Sequence, residues 1–92
     1  MSMQELIKKS VLRRLNILRG QLNGLIAMVD EEKYCVDIIT QSSAIKEALS
    51  GIEHLILENH LSTHVIEQMK TGKEKKAIEE VLKLYKLAQR KK

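Results

Sequence analysis

Three side chains in this 92-residue sequence carry the chemistry to hold a soft metal ion: the thiol of Cys35 and the imidazoles of His60 and His64. Thiolate and imidazole together suit Cu, Zn or Ni better than Mg or Ca, which prefer oxygen. His60 and His64 are four residues apart, so on a helix both project from one face and offer two nitrogens to one ion. Each feature alone has a plainer reading. A histidine pair at this spacing also arises by chance on a solvated face, and a lone cysteine is more often an inert, buried small residue. His54 is out of phase with the pair and reads as an ordinary helix-surface histidine.

Geometry ties the thiol to the imidazoles only through a second chain. If residues 35 to 60 form one helix, Cys35 and His60 lie about 37 Å apart at 1.5 Å per residue. Two copies of that helix packed antiparallel bring Cys35 of one chain beside His60 and His64 of the other. The midpoint of such a pair falls near Ala48 and Leu49, within a line of small residues, Ala44, Ala48 and Gly51, that permits close approach. A two-fold axis there produces two equivalent sites per dimer.

The elements that must position these residues are helical. In the first segment Val11, Leu15, Leu18, Leu22, Leu25 and Val29 follow one another at spacings of four and three, an a/d heptad that packs one helix along another. Continuing it through Asp30-Glu31-Glu32-Lys33 would drive charge into the seam, so a break belongs there. The pattern restarts with Ile38, Ser42, Ile45, Leu49, Ile52 and Ile56. Helix two extends to about Met69, where Thr71-Gly72 supplies a stop. A shorter third helix begins near Lys73, with Ile78, Val81, Leu82 and Tyr85 as its apolar stripe. Gly51 inside a helix costs about 1 kcal/mol against Ala, which suggests a packing reason, although a tolerated glycine is the alternative.

Composition sets the class. There is no Pro, Trp or Phe, four Gly and a single Cys, so strand punctuation is missing and no intrachain disulfide is available. The expected fold is all-α, one domain over residues 1–92, with a metal or an oligomer supplying stability that so short a chain lacks alone. The start of the sequence has no signal-peptide core and no apolar run spans a bilayer, which predicts a cytoplasmic protein that does not enter a membrane. The net charge is +4, from 16 Lys+Arg against 12 Asp+Glu. Lys8, Lys9, Arg13, Arg14 and Arg19 cluster on the first helix, and Arg90, Lys91 and Lys92 close the sequence. Such a surface attracts phosphate polymers or anionic membranes, or merely solubilises the helix. No Ser/His/Asp arrangement, phosphate-cradling glycine loop or paired catalytic carboxylate stands out, so an enzyme is not expected.

Several segments in order resemble the copper-sensitive operon repressor family: RLNILRGQLNGL (Arg14 to Leu25), YCVDIITQSSAIKEAL (Tyr34 to Leu49), ENHLSTHV (Glu58 to Val65) and AIEEVL (Ala77 to Leu82). The resemblance implies a three-helix protomer, an antiparallel four-helix-bundle dimer and a dimer of dimers. It also implies a repressor without a helix-turn-helix that binds double-stranded operator DNA and leaves it when its inducer binds. The family's metal ligands fall on Cys35, His60 and His64. The last is a departure, because copper sensors usually carry cysteine there, while nickel/cobalt sensors carry histidine.

One thiolate and two imidazoles suffice for Cu(I), which accepts few, soft ligands. A Ni(II)/Co(II) site wants more nitrogen and oxygen donors, and relatives that sense those metals add an N-terminal histidine where this sequence has Met3. Cu(I) is therefore the expected inducer, with Ni(II)/Co(II) as the alternative and Zn(II) able to occupy the site in vitro. Formaldehyde sensing is disfavoured by Ser2 in place of a proline, and persulfide sensing by the lack of a second thiol. Tyr34 and Glu80 match family positions that surround the ligands, where a carboxylate receives a ligating imidazole's other N–H; Glu79 is a rival for that role. Arg14 and Gln21 match the family's DNA-binding positions, as does Lys46, and Lys8, Lys9, Arg13 and Arg19 extend the basic face. The absence of stacking aromatics speaks against single-strand recognition. A metal carrier or storage bundle, using the same ligands without DNA, is the rival function.

Overall fold

Helix α1 spans Glu5–Asp30 and α2 spans Cys35–His60 in the computed structural model, which describes residues 3–90. Ser2, Lys91, Lys92 and the Arg90 side chain lie outside the described residues, so the basic cluster expected at the end of the sequence and the Ser2 argument are not placed. A five-residue π-helical turn, Leu61–Val65, follows α2, then α3 (Ile66–Lys70) and α4 (Glu74–Arg90). Among the described residues there is no strand, and no helix is long and apolar enough to cross a membrane.

The chain divides into a unit ending at Asn59 and a unit beginning at His60. In the first, Val11 and Leu18 of α1 and Ile45 and Ile52 of α2 form one buried cluster, with Met3, Ile7, Leu25, Leu55 and Ile56 packed against it. These four core residues sit seven apart on each helix, so a single heptad position of each seam is covered. The other position is largely open: Leu15, Leu22, Val29 and Leu49 are exposed, while Ile56 is half-buried. Apolar periodicity thus located both helical faces, but the protomer buries only half of what it predicted. Gly51 has no atom within 4 Å of where a Cβ would stand, so its packing reason is not found inside the protomer.

Both helix ends expected from the sequence occur, by one backbone device. After α1, Glu32 adopts a left-handed φ of 53°, Lys33 N–H donates to the Met28 carbonyl at 2.9 Å and Glu32 N–H to Val29 at 3.1 Å. This is a Schellman closure, in which two otherwise orphaned carbonyls are satisfied. After α3, Gly72 takes φ 79°, with Lys73 N–H donating to Gln68 at 2.7 Å and Gly72 N–H to Met69 at 3.5 Å. Glycine enters that region without steric penalty, whereas a residue with a Cβ is strained there by about 1–2 kcal/mol. The Tyr34 carbonyl then opens α2 by accepting from Asp37 and Ile38 N–H at 3.0 and 3.2 Å.

The second unit is built on α3 and α4. Val65, Met69, Ala77, Ile78, Val81 and Leu82 line a shallow apolar groove, with Ala77 buried beneath it. The sequence predicted an uninterrupted second helix to about Met69; the helix instead widens into the π turn between His60 and Ile66. Its flanking dihedrals remain right-handed helical, at −61°/−45° for both His60 and Ile66.

Candidate metal centre

Cys35 is the first residue of α2, and its thiol is free and exposed. Tyr34 beside it is 71% exposed; its backbone carbonyl serves α2, while its phenol extends toward solvent. His60 is the last residue of α2, and His64 sits in the π turn. Extra width in a helical turn changes which side chains face each other, and π turns concentrate at functional sites for that reason.

The two imidazoles meet across the start of this turn. His60 Nδ1 and His64 Nδ1 are 3.1 Å apart, with ring centroids 5.2 Å apart and planes at 66°. Both rings are half-buried. On its opposite side, His60 Nε2 lies 3.3 Å from Glu80 Oε2 on α4. Glu80 is the carboxylate that reaches the ring; Glu79 is exposed. A second carboxylate oxygen, Glu80 Oε1, accepts from the Gln68 amide at 3.4 Å.

These contacts assign the protons. An ionised carboxylate only accepts, so neutral His60 carries its hydrogen on Nε2 and presents a lone pair at Nδ1. His64 Nδ1 is then the donor in the imidazole pair. With the His64 hydrogen moved to its own Nε2, both Nδ1 lone pairs could point at one cation. Two nitrogens each about 2.0–2.1 Å from one ion stand roughly 3.3–3.6 Å apart at tetrahedral to trigonal angles. The observed 3.1 Å needs to open by only a few tenths of an ångström, so the pair fits a metal. Glu80 is not a third ligand, because it faces the far nitrogen of His60. Among the described residues, no three His, Cys, Asp or Glu side chains of one chain group around a common ion position.

On α1, Lys8, Lys9, Arg13, Arg14 and Arg19 are all exposed, and so is Lys46 on α2. Gln21 differs. It is half-buried, its side-chain Oε1 is buried without a partner, and its backbone carbonyl accepts from the Gln41 amide at 3.5 Å. The side chain therefore has one end turned into the protein. Sequence reasoning does not single out Gln68, whose only signal is a spacing of four from His64.

Known proteins share this arrangement of helices and sequence. A model of metal-sensitive transcriptional repressors matches residues 7–86. The chain is 36% identical over 75 residues to the copper-sensing transcriptional repressor CsoR of Mycobacterium tuberculosis (strain ATCC 25618 / H37Rv), a match covering 82% of this chain and 63% of that protein. It is 35% identical over 79 residues to CsoR of Bacillus subtilis (strain 168), covering 86% of this chain and 78% of the relative. Among solved structures, it superposes with a TM-score of 0.90 on the Cu(I)-containing copper-sensing repressor CsoR from Geobacillus thermodenitrificans NG80-2, at 27% identity over 97% of this chain and 93% of that one. The chain thus spans somewhat under two thirds of the mycobacterial CsoR proteins it matches. With the matched segment running from α1 into α4 and the paired histidines inside it, the chain belongs to the metal-sensitive transcriptional repressor family.

Proposed function

We propose that this chain is a copper-responsive transcriptional repressor: the apo-protein holds double-stranded operator DNA, and Cu(I) binding at Cys35, His60 and His64 releases it. The observation that carries the reading is the pair of Nδ1 atoms 3.1 Å apart, backed by Glu80. Relatives named as copper sensors support the choice of metal. The family role leaves no place for catalysis, and the site works in the cytoplasm, where a free thiol stays reduced.

The working unit is a homo-oligomer, an antiparallel four-helix-bundle dimer paired into a dimer of dimers. Its support is the uncovered half of each heptad, Leu15, Leu22, Val29 and Leu49, together with the open space beside Gly51. Antiparallel α2 helices let the Cys35 thiolate of one copy meet His60 and His64 of another. Bound there, the metal supplies positive charge and a tie between two α2 helices. Binding would displace the Cys35 thiol proton, and His64 would carry its hydrogen on Nε2 so that Nδ1 can ligate beside His60 Nδ1. Release of DNA then follows from linkage: whatever factor separates metal affinity in the free and DNA-bound states also separates DNA affinity in the metal-free and metal-bound states.

Lys8, Lys9, Arg13, Arg14 and Arg19 form the phosphate-facing surface. Gln21 contributes less directly, because its Oε1 is buried. Ni(II)/Co(II) sensing is the second reading, favoured by an imidazole at His64 where a thiolate would be softer; against it, Met3 packs on the apolar core and offers no nitrogen.

The test is a titration of reduced apo-protein with Cu(I), Ni(II) and Co(II) at buffered free-metal concentrations, following binding to DNA upstream of its own gene at fixed salt. Release by Cu(I) alone is the expected result, with Cys35→Ala protein remaining bound. Release only by Ni(II) or Co(II) would move the protein to the second reading. Failure to retain any candidate operator at low salt would replace repression by metal carriage.

A further inference from the structure

We propose that Gln68 is a positioning residue of the metal site, holding Glu80 so that its carboxylate keeps His60 in the tautomer that leaves Nδ1 free for metal. The proposal deepens the copper reading and rests on it for the affinity arm alone. Four side chains form a relay: His64 Nδ1 to His60 Nδ1 at 3.1 Å, His60 Nε2 to Glu80 Oε2 at 3.3 Å, and Gln68 Nε2 to Glu80 Oε1 at 3.4 Å. Each carboxylate oxygen of Glu80 thus has its own partner.

That division of labour matters physically. A carboxylate held at one oxygen swings about its terminal torsion, which has a broad potential. Held at both, it has a defined plane, and its second oxygen stays where His60 Nε2–H can donate. Glu80 has a side chain about one third exposed, so solvent competes for it unless the protein anchors it.

The state of Gln68 itself points the same way. An ionised carboxylate cannot donate, so the Gln68 amide must turn its NH2 toward Glu80. Its Oε1 is then left buried without a partner, an unfavourable arrangement that an apolar side chain of equal length would avoid. The amide at this position therefore makes sense through its nitrogen. The π turn enters as well, because it lies between His60 and Gln68 and sets the angular offset at which two residues eight apart reach opposite sides of one carboxylate.

Gln68→Met keeps the length of the side chain and removes the amide. In this variant's apo-protein, nitrogen NMR of the His60 ring should show a reduced share of the Nε2–H tautomer. Chelator competition should show Cu(I) binding weakened by about threefold to tenfold, below the roughly 10- to 100-fold expected when a ligand's direct partner is removed. Gln68→Glu, which sets an acceptor against an acceptor, should reproduce both changes if the methionine variant folds poorly. In a Glu80→Gln background, Gln68→Met should add nothing further. An unchanged His60 tautomer in both variants overturns the proposal, as does an affinity loss of equal size with and without Glu80, which marks a purely structural role. If the wild-type protein fails to bind Cu(I), the copper reading falls, while the tautomer measurement still decides the role of Gln68.

Discussion

The two ends of α2 are prepared to different degrees. At its first residue, Cys35 offers an exposed, free thiol beside Tyr34, which is exposed as well. At its last residue, His60 is already oriented by His64 on one side and Glu80 on the other. The imidazole half of the proposed site is thus built within one protomer. It needs only a helical spacing of four, one widened turn and one contact from α4. The thiolate half has no comparable support, and under the proposed function it acquires one from a second copy. The imidazole pair costs little to keep, because the two Nδ1 atoms partner each other and His60 Nε2 has Glu80. A thiolate held ready beside them would have no such partner, and leaving it in solvent until assembly avoids that cost.

Breaking the bare end should have the largest effect. Cys35→Ala removes the only soft anionic donor, and Cu(I) affinity should fall beyond the 10- to 100-fold range of an outer partner. The apo His60 and His64 ring signals should remain as in the wild type, because nothing at that end supports them. Chelator competition and imidazole NMR check the two halves separately. Glu80→Gln attacks the prepared end instead. It leaves three ligands in place and should weaken Cu(I) by about 10- to 100-fold, roughly 1.4–2.7 kcal/mol.

The flanking helix stops sharpen the same contrast on the scale of stability. Gly72→Ala forces a Cβ into a left-handed backbone and should destabilise the protein by about 1–2 kcal/mol, read as a lower Tm. Glu32→Gly relieves that strain after α1, with a gain of about 0.5–1 kcal/mol after the added freedom of the unfolded chain is deducted. On the DNA side, Arg14→Ala should reduce the slope of log affinity against log salt by about one for each phosphate that its guanidinium neutralises. Gln21→Ala should leave that slope unchanged, since an amide releases no counterion. Salt titrations of operator binding distinguish the two.

Much of this molecule was determined by local sequence. Charge at Asp30 to Lys33 had to interrupt an apolar heptad, and the α1–α2 connection lies there. Gly72 had to mark a left-handed stop, and it does. The proposed Cys35, His60 and His64 set, and the second chain it would need, rest on donor chemistry and the rise of a helix. Other features depended on contacts between elements distant in sequence. Periodicity cannot distinguish a heptad position buried within a protomer from one left open, so Val11 and Leu22 read alike although the first is 4% and the second 44% exposed. Leu-Ser-Thr-His-Val has no composition that announces a π turn; its widened geometry depends on neighbours along and across the helix. Gln21 matched a DNA-binding position of the family, and its amide oxygen is buried. The resemblance named Glu80 with Glu79 as a rival, but seeing Glu80 meet the imidazole and finding Gln68 behind it required the packing of α4 against α3, because adjacent residues on a helix point about 100° apart.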